Sequence, residues 1–108
     1  MNTLIINTLK PIGVPVVFQN YAGKETTYIT FFTYLEQGEE FADDEEIVTG
    51  HYIQVDVWSK GNYLEVVNEV KERMKQAGFR RRSEYELYEK DTKIFHKVLR
   101  FVYEEEEF

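Results

Sequence analysis

The sequence predicts an α+β fold, in which an antiparallel β-sheet carries helices packed on one face. Two observations predict it. Apolar residues recur with a period of two in several segments and with a helical period in two others. These segments follow one another in the order α-β-β-β-α-β-β, and strands joined by short turns pair as antiparallel neighbours.

The chain begins with a short predicted helix over residues 2–10, which ends because the residue before Pro11 disfavours helical backbone. Its apolar stripe consists of Leu4, Ile5 and Leu9. A short apolar run over residues 14–19 follows, and Pro15 favours an edge strand or a strand start there. Residues 20–25 contain Gly23 and indicate a turn.

Two alternating segments predict the first long strands. Residues 27–35 carry aromatic side chains on both faces, which indicates a strand covered on two sides or placed at an interface. Residues 51–58 alternate more clearly. One predicted face consists of Ile53, Val55 and Val57, and the other of Tyr52, Gln54, Asp56 and Trp58.

The strongest helix signal begins at Asn62, which can cap a helix, with Glu65 three residues later as in a capping box. A single apolar stripe follows, formed by Tyr63, Val66, Val67, Val70, Met74 and Ala77. Gly78 is the expected residue just past the helix end. Residues 79–88 and 94–103 then alternate around a predicted turn at 89–93, which indicates a closing β-hairpin.

Length and composition exclude several classes of protein. The 108 residues fit one domain, and 13 Lys and Arg against 20 Asp and Glu give a net charge of −7. That charge disfavours nucleic-acid binding, which depends on bases that neutralise phosphates. No Cys is available for a disulfide, a thiolate metal site or a nucleophile. We expect no membrane partner, because no apolar run approaches the roughly 20 residues that cross a bilayer.

The charges are segregated along the chain. Residues 36–46 contain seven acids and no base, residues 71–82 contain six bases and one acid, and residues 104–107 are all Glu. The acidic stretch predicts a long, mobile loop at about residues 36–49 within a single domain spanning 1–108. Acidic and basic patches of this kind can match between copies. The candidate interface residues are Glu39, Glu40, Asp43, Asp44, Glu45, Glu46, Arg80, Arg82, His96 and Arg100.

No motif for catalysis or cofactor binding is present. The sequence lacks the glycine-rich phosphate loops, the HExxH zinc motif and the GxSxG nucleophile motif. Two His residues are too few for a zinc site, and the acids lack calcium-loop spacing. We therefore expect a non-enzymatic protein without a cofactor or metal. Asp56 lies within an apolar strand and is expected to pair with a base on a neighbouring strand or subunit; a perturbed buried carboxylate is the alternative.

The second half of the chain contains two runs with a distinctive order of motifs, HYIQVDVWSKGNYLEVVNEVKERMKQAGF and YELYEKDTKIFHKVLRFVY. The motif residues within them include Asp56, Trp58, Gly78, Phe79, Tyr88 and Asp91. In these runs, about half of the chain, the sequence resembles the tail completion proteins of long-tailed phages and prophages of Gram-positive bacteria. These form the tail-terminator, or tail-to-head joining, class.

This resemblance implies a structural virion component. Such proteins form a ring, often a hexamer, at the head-proximal end of the tail tube, where they stop tube growth and face the head connector. The implied partners are further copies of the chain, the tail-tube protein and the head-connector protein. The implied location is the tail or neck of the virion, with the host cytoplasm during assembly. The alternative hypothesis is a prophage-encoded binding module that engages a host protein through its acidic face.

Overall fold

Two helices and five strands make up the fold, described here for residues 1–43 and 45–106 of a computed structural model. The elements are α1 (Asn2–Leu9), a 3-10 turn (Lys10–Ile12), β1 (Val16–Phe18), β2 (Thr27–Ala42), β3 (Glu45–Ser59), α2 (Leu64–Gln76), β4 (Arg80–Glu89) and β5 (Ile94–Glu106). The strands form one sheet in the order β1-β2-β3-β5-β4. The predicted α+β class and the order of elements are confirmed.

The sheet is mixed, which corrects the expectation of a purely antiparallel one. β1 pairs with β2 in parallel, with Val16 opposite Ile29, whereas every other neighbouring pair is antiparallel. After β1 the chain turns back at Gln19, whose φ of 63° is left-handed. Residues 19–26 then return it to the end of the sheet where β1 began. The short apolar run is an edge strand, as Pro15 indicated.

The hydrophobic core lies between the two helices and one face of the sheet. Ile5 and Leu9 of α1 and the apolar stripe of α2 pack on this face. The sheet contributes Ile29, Phe31, Ile53, Val55, Val57, Leu99 and Phe101. Burial at helical spacing on the helices and at alternate positions on the strands is the arrangement that the sequence periodicity predicts. Both helices therefore cover the same face, which we call the helical face.

β3 is the central strand and is buried on both sides. Ile53, Val55 and Val57 are fully buried on the helical face, and Asp56 on the opposite face is 3% exposed. β2 and β5 flank β3 as antiparallel neighbours, with Val55 opposite both Phe31 and Leu99. The predicted division of β3 into two faces is confirmed, although the strand is longer than predicted.

The predicted loop at about residues 36–49 is wrong, because residues 36–42 and 45–49 belong to β2 and β3 and form the far end of their hairpin. Gln37 pairs with Gly50 and Phe41 with Glu46 across the two strands. Backbone hydrogen bonds hold such a ribbon together without apolar side chains, so the acidic composition concealed it. Asp44 and residues 107–108 lie outside the described residues.

A β-bulge between Thr33 and Leu35 changes which face the later residues of β2 occupy. It places Leu35 opposite Tyr52, so Leu35 leaves the face of Ile29 and Phe31 and is 42% exposed. Two further irregularities lie between Gly38 and Phe41. An extra residue in one strand shifts the alternation by one, which ends the period-two signal of the sequence at this point.

α2 ends as the sequence predicts, whereas it begins at Leu64 with Tyr63, not Asn62, at the N-cap position. The Asn62 side chain accepts a 3.0 Å hydrogen bond from the amide of Leu64. At the other end, Gly78 adopts a left-handed φ of 98°, and the amide of Phe79 donates to the carbonyl of Met74 at 2.9 Å. This is the Schellman arrangement of a helix terminus. Among the described residues no helix has the length and apolarity needed to cross a membrane.

We predict that Gly78→Ala lowers the free energy of unfolding by about 1–2 kcal/mol, because a side chain strains a left-handed backbone. A Cβ atom at position 78 would lie 3.4 Å from the Tyr103 ring, which is an ordinary contact, so the expected loss of stability comes from the backbone conformation. Urea unfolding measures the change. Gly61→Ala is the matched control, since nothing lies within 4 Å of its added carbon. Equal effects of the two substitutions would contradict this account.

Candidate functional site

The sheet face opposite the helices, which we call the open face, carries a chain of polar contacts. Arg100 Nε donates to Gln54 Oε1 at 3.1 Å, and Gln54 Nε2 donates to Asp56 Oδ1 at 2.9 Å. His96 Nε2 lies 2.6 Å from the same Asp56 oxygen. Asp56 therefore receives a buried hydrogen bond from a base on the neighbouring strand, as the sequence predicts.

Aromatic rings form a row beside this polar chain. Trp58 stacks on the His96 ring at 3.6 Å between centroids, and Tyr28 lies parallel to Trp58 at 6.0 Å. Trp58 Nε1 donates to Thr30 Oγ1 at 3.0 Å, which satisfies the indole within the sheet. Stacked on Trp58 and hydrogen-bonded to Asp56, the imidazole of His96 is held in one orientation.

The open face is covered by its own long side chains. The Arg100 guanidinium lies 4.9 Å from the centre of the Tyr34 ring, and Arg82 lies at the same distance over Tyr52. Val98 lies opposite Asp56 on this face, which neither α1 nor α2 covers, and it is 1% exposed. Arg82, His96 and Arg100 thus contribute to the packing of the subunit itself. Their predicted role at an interface stays a prediction.

One end of the molecule projects as an acidic arm, which we define as residues 36–43, 45–51 and 104–106. The distal end of β2 and the proximal end of β3 form it, and β5 extends along part of it, with Glu104 opposite Gly50. Its acids are Glu36, Glu39, Glu40, Asp43, Glu45, Glu46, Glu104, Glu105 and Glu106. The longest dimension of the molecule is 53 Å, against 26 and 23 Å for the others.

Two contacts anchor the base of the acidic arm. The Tyr52 hydroxyl donates a hydrogen bond to the Glu39 carboxylate, which lowers the pKa of Glu39 and raises the pKa of Tyr52. The His51 ring lies between two carboxylates, with Nδ1 3.4 Å from Glu36 and Nε2 3.0 Å from Glu105. His51 is the one basic side chain among the described residues of the arm.

The six bases of residues 71–82, which we call the basic band, contribute to both sides of a groove between α2 and β4, which we call the basic groove. This cavity of about 510 Å³ has Phe79 and Phe101 in its lining, and both are nearly buried. The polar residues that line it are Asn68, Lys71, Glu72, Lys75, Arg80 and Arg81. Four basic side chains and one acidic side chain therefore surround an apolar floor.

Carboxylates of the same chain already pair with part of this basic groove. Lys71 Nζ lies 2.8 Å from Glu84, Arg81 lies 3.2 Å from Glu84, and Arg80 lies 2.8 Å from Glu104. Burial opposes ionisation of Glu84, but the hydrogen bond from Lys71 and the nearby cations prevail and lower its pKa. Lys75 pairs with no carboxylate in the described part of the chain.

A hydrogen bond between Tyr63 and Glu86 fixes the start of α2 on β4. Burial, together with a hydrogen bond to the Glu86 carboxylate, raises the pKa of Tyr63 to about 12. The same hydrogen bond, with one from Lys97, lowers the pKa of Glu86. The Tyr63 hydroxyl is thus a fixed donor at any ordinary pH.

The structure distributes the sequence-predicted residues over three regions. Glu39, Glu40, Asp43, Glu45 and Glu46 belong to the acidic arm, whereas Asp44 lies outside the described residues. Arg80 lines the basic groove, and Arg82, His96 and Arg100 lie on the open face with Asp56 and Trp58. Phe79 closes the groove beside Gly78, and Tyr88 and Asp91 lie at the β4–β5 turn.

Three residues of the groove and the arm tip were not among the candidate interface residues predicted from the sequence. Lys71 and Lys75 lie four residues apart and so share a helix face, a spacing that could have placed them beside Arg81. Phe41 was hidden within the acidic stretch and is 64% exposed at the arm tip. Within the described ranges no group of three or more His, Cys, Asp or Glu side chains is arranged to hold a metal ion.

Comparison with known proteins adds no relative, since no protein-family model and no curated protein matches the chain.

We predict that Asp56→Ala lowers the free energy of unfolding by about 2–3 kcal/mol, because Gln54 and His96 both lose their buried acceptor. A double-mutant cycle with His96→Ala, followed by urea unfolding, should give a coupling energy of roughly 1–2 kcal/mol. Asp91→Ala in the exposed turn is the control and should cost less than about 0.5 kcal/mol. Strict additivity of the Asp56 and His96 substitutions would refute the coupling.

We predict that Glu84→Gln lowers the Tm at about pH 7 by about 2–6 °C, because the Lys71 and Arg81 cations lose their carboxylate. Because the pKa of Glu84 is lower in the folded protein, its ionised carboxylate stabilises the fold at a pH above the ordinary Glu pKa. This stabilisation is lost as the pH falls through the pKa of the folded protein. The Tm difference from the parent protein should therefore shrink as the pH falls below the ordinary Glu value of about 4.3. Glu25→Gln is the exposed control. A pH-independent difference would show that Glu84 acts by packing alone.

Proposed function

We propose that the protein is a non-enzymatic tail-completion subunit of a long-tailed phage or prophage, which caps the tail tube and joins it to the head connector as part of a ring. The observation that carries the proposal is the separation of an acidic arm from a basic groove on one subunit. Surfaces that differ in this way suit head-to-tail contacts between copies, and such contacts form a ring when the rotation between neighbours closes. The motif order of residues 50–103 supports the same class.

The sheet edges give the proposal further support. β4 is an outer strand of the sheet, and β1 covers β2 only from Ile29 to Phe31. Within the described residues, the outer edges of β4 and of β2 beyond Phe31 therefore present backbone groups that no neighbouring strand pairs. Exposed edges of this length are available for pairing with another chain. A subunit that functions inside an assembly can have such edges covered by its neighbours.

The proposed partners are the tail-tube protein, the head-connector protein and further copies of this chain. A positively charged or mixed surface at the tube end would face the acidic arm, since like charges repel across an interface. The proposed site of action is the head-proximal end of the tail, assembled in the host cytoplasm. Neither a cofactor nor a chemical step is part of this proposal.

The test is to add the purified protein to growing tubes of the tail-tube protein encoded nearest to it. Capping should shorten the tubes in proportion to the protein added, as measured by negative-stain electron microscopy. Exchanging Glu40, Glu45 and Glu46 for Gln should weaken this effect, because the arm loses three charges. A control with Glu25, Glu65 and Glu69 exchanged for Gln loses the same charge elsewhere and should cap normally. Tubes of unchanged length at every concentration would contradict the proposal.

The alternative is a binding module that engages a host protein, and the acidic arm with the exposed Phe41 is the observation that favours it. An apolar side chain surrounded by carboxylates can anchor a basic partner. A pull-down from host lysate distinguishes the two functions. Recovery of one host protein at equal stoichiometry, lost in a Phe41→Ser variant and accompanied by no tube capping, would favour the alternative.

A further inference from the structure

We propose that the basic groove between α2 and β4 receives the tip of the acidic arm of a neighbouring copy. The tip comprises Phe41, Ala42, Asp43, Glu45 and Glu46. This docking specifies the contact between subunits on which the proposed ring depends, and in that sense it rests on the proposed function. The argument uses the chemistry of the two surfaces and the distance between them.

The groove has the chemistry to receive an acidic segment that carries an apolar side chain. Phe79 and Phe101 give it an apolar floor, and basic residues from both α2 and β4 form its rim. Its volume of about 510 Å³ exceeds that of an aromatic side chain. Lys75 on the rim has no carboxylate partner in the described part of the chain and is exposed. A desolvated aromatic anchor within a charged rim is a common form of protein interface.

The arm tip has the complementary chemistry. Phe41 is 64% exposed, the highest exposure among the large apolar side chains of the described residues. Glu40 and Glu46 flank it, on its own strand and directly opposite. Insertion of Phe41 into the groove would bury its ring, and the neighbouring carboxylates would then meet Lys71, Lys75 and Arg81 at the rim.

The two surfaces cannot meet within one chain. The groove lies at the level of Arg81, which pairs through Phe101 with Ile53 of β3. Glu46 lies seven residues before Ile53 on β3, or about 23 Å along a strand. β5 also separates the arm strands from β4. A second copy must therefore supply the arm tip, and because arm and groove are different surfaces the contact is heterologous.

Ion pairs within the groove do not prevent this docking. Arg80 and its partner Glu104 have side chains 68% and 51% exposed, and Arg81 is 51% exposed. Exposed ion pairs of this kind contribute little to stability, so their cations can exchange one carboxylate for another. The Glu84 carboxylate is more buried and keeps Lys71 oriented along the groove.

The absence of Cys from the sequence permits a direct test by cross-linking. Ala42→Cys, next to Phe41, and Asn68→Cys, in the groove lining, leave the proposed anchor and the rim cations in place. They are prepared as separate full-length variants, one of them isotopically labelled, and are mixed with a short bis-maleimide, after which mass spectrometry measures the heterodimer. Asn20→Cys, also an exposed asparagine position, replaces Asn68→Cys in the control. The 42–68 heterodimer should exceed the 42–20 heterodimer about tenfold, because docking raises the effective concentration of the two thiols.

Salt and charge reversal provide independent readouts. At about 1 M salt, where charges are screened beyond about 3 Å, the 42–68 excess should fall several-fold. Glu46→Lys in the Ala42→Cys chain should reduce it at low salt, and this chain should keep the circular dichroism spectrum of the parent. Equal yields of the two heterodimers at low salt overturn the docking proposal.

The outcome is separable from that of the proposed function. Normal capping of tail tubes together with equal cross-link yields overturns the docking and leaves the tail-completion function standing. A strong, salt-sensitive 42–68 cross-link in a protein that leaves tube length unchanged supports the docking and counts against the function.

Discussion

The structure depends on the burial of β3 on both of its faces. Val55 and Val57 pack under the helices, while Asp56 between them is buried on the open face with Gln54 and His96 as partners. A carboxylate can occupy this position only because its hydrogen bonds come from adjacent positions on the sheet. The core on one face and the polar chain on the other are therefore fixed by the same backbone register.

Unequal strand lengths around β3 produce the features that could act in assembly. β4 begins at Arg80, opposite Val102 of β5, whereas the β2–β3 hairpin extends beyond this level to Ala42 and Glu45. The acidic arm consists of the part of this hairpin that extends beyond β4, together with the end of β5 that pairs with it. The arm carries nine acids, and the basic side chains beside them include His51 within the arm and Arg80, which pairs with Glu104. The basic band, by contrast, is largely paired within the chain. We propose that neighbouring subunits supply partners for the acidic and basic side chains that remain unpaired within the chain.

Much of the fold follows from periodicity, since α2, β3 and the closing hairpin have one consistently buried face. Gly78 and Asn62 mark the ends of α2 by local chemistry that needs no tertiary information. The arm was not predictable in this way, because the acids of residues 36–43 and 45–46 are exposed and bulges break the alternation of the two strands. The pairing of Asp56 with a base was predictable, but the choice of His96 depends on the β3–β5 register. The groove was hidden because it joins residues of α2 to residues of β4 and β5 across the turn at Gly78.

Cryo-electron microscopy of tail tubes assembled with the protein tests the central claim most directly. The account predicts a closed ring of copies at one end of each tube, with each arm tip lying against the α2–β4 groove of the next copy. Density distributed along the tube wall, or tube ends that carry none of the protein, would contradict it.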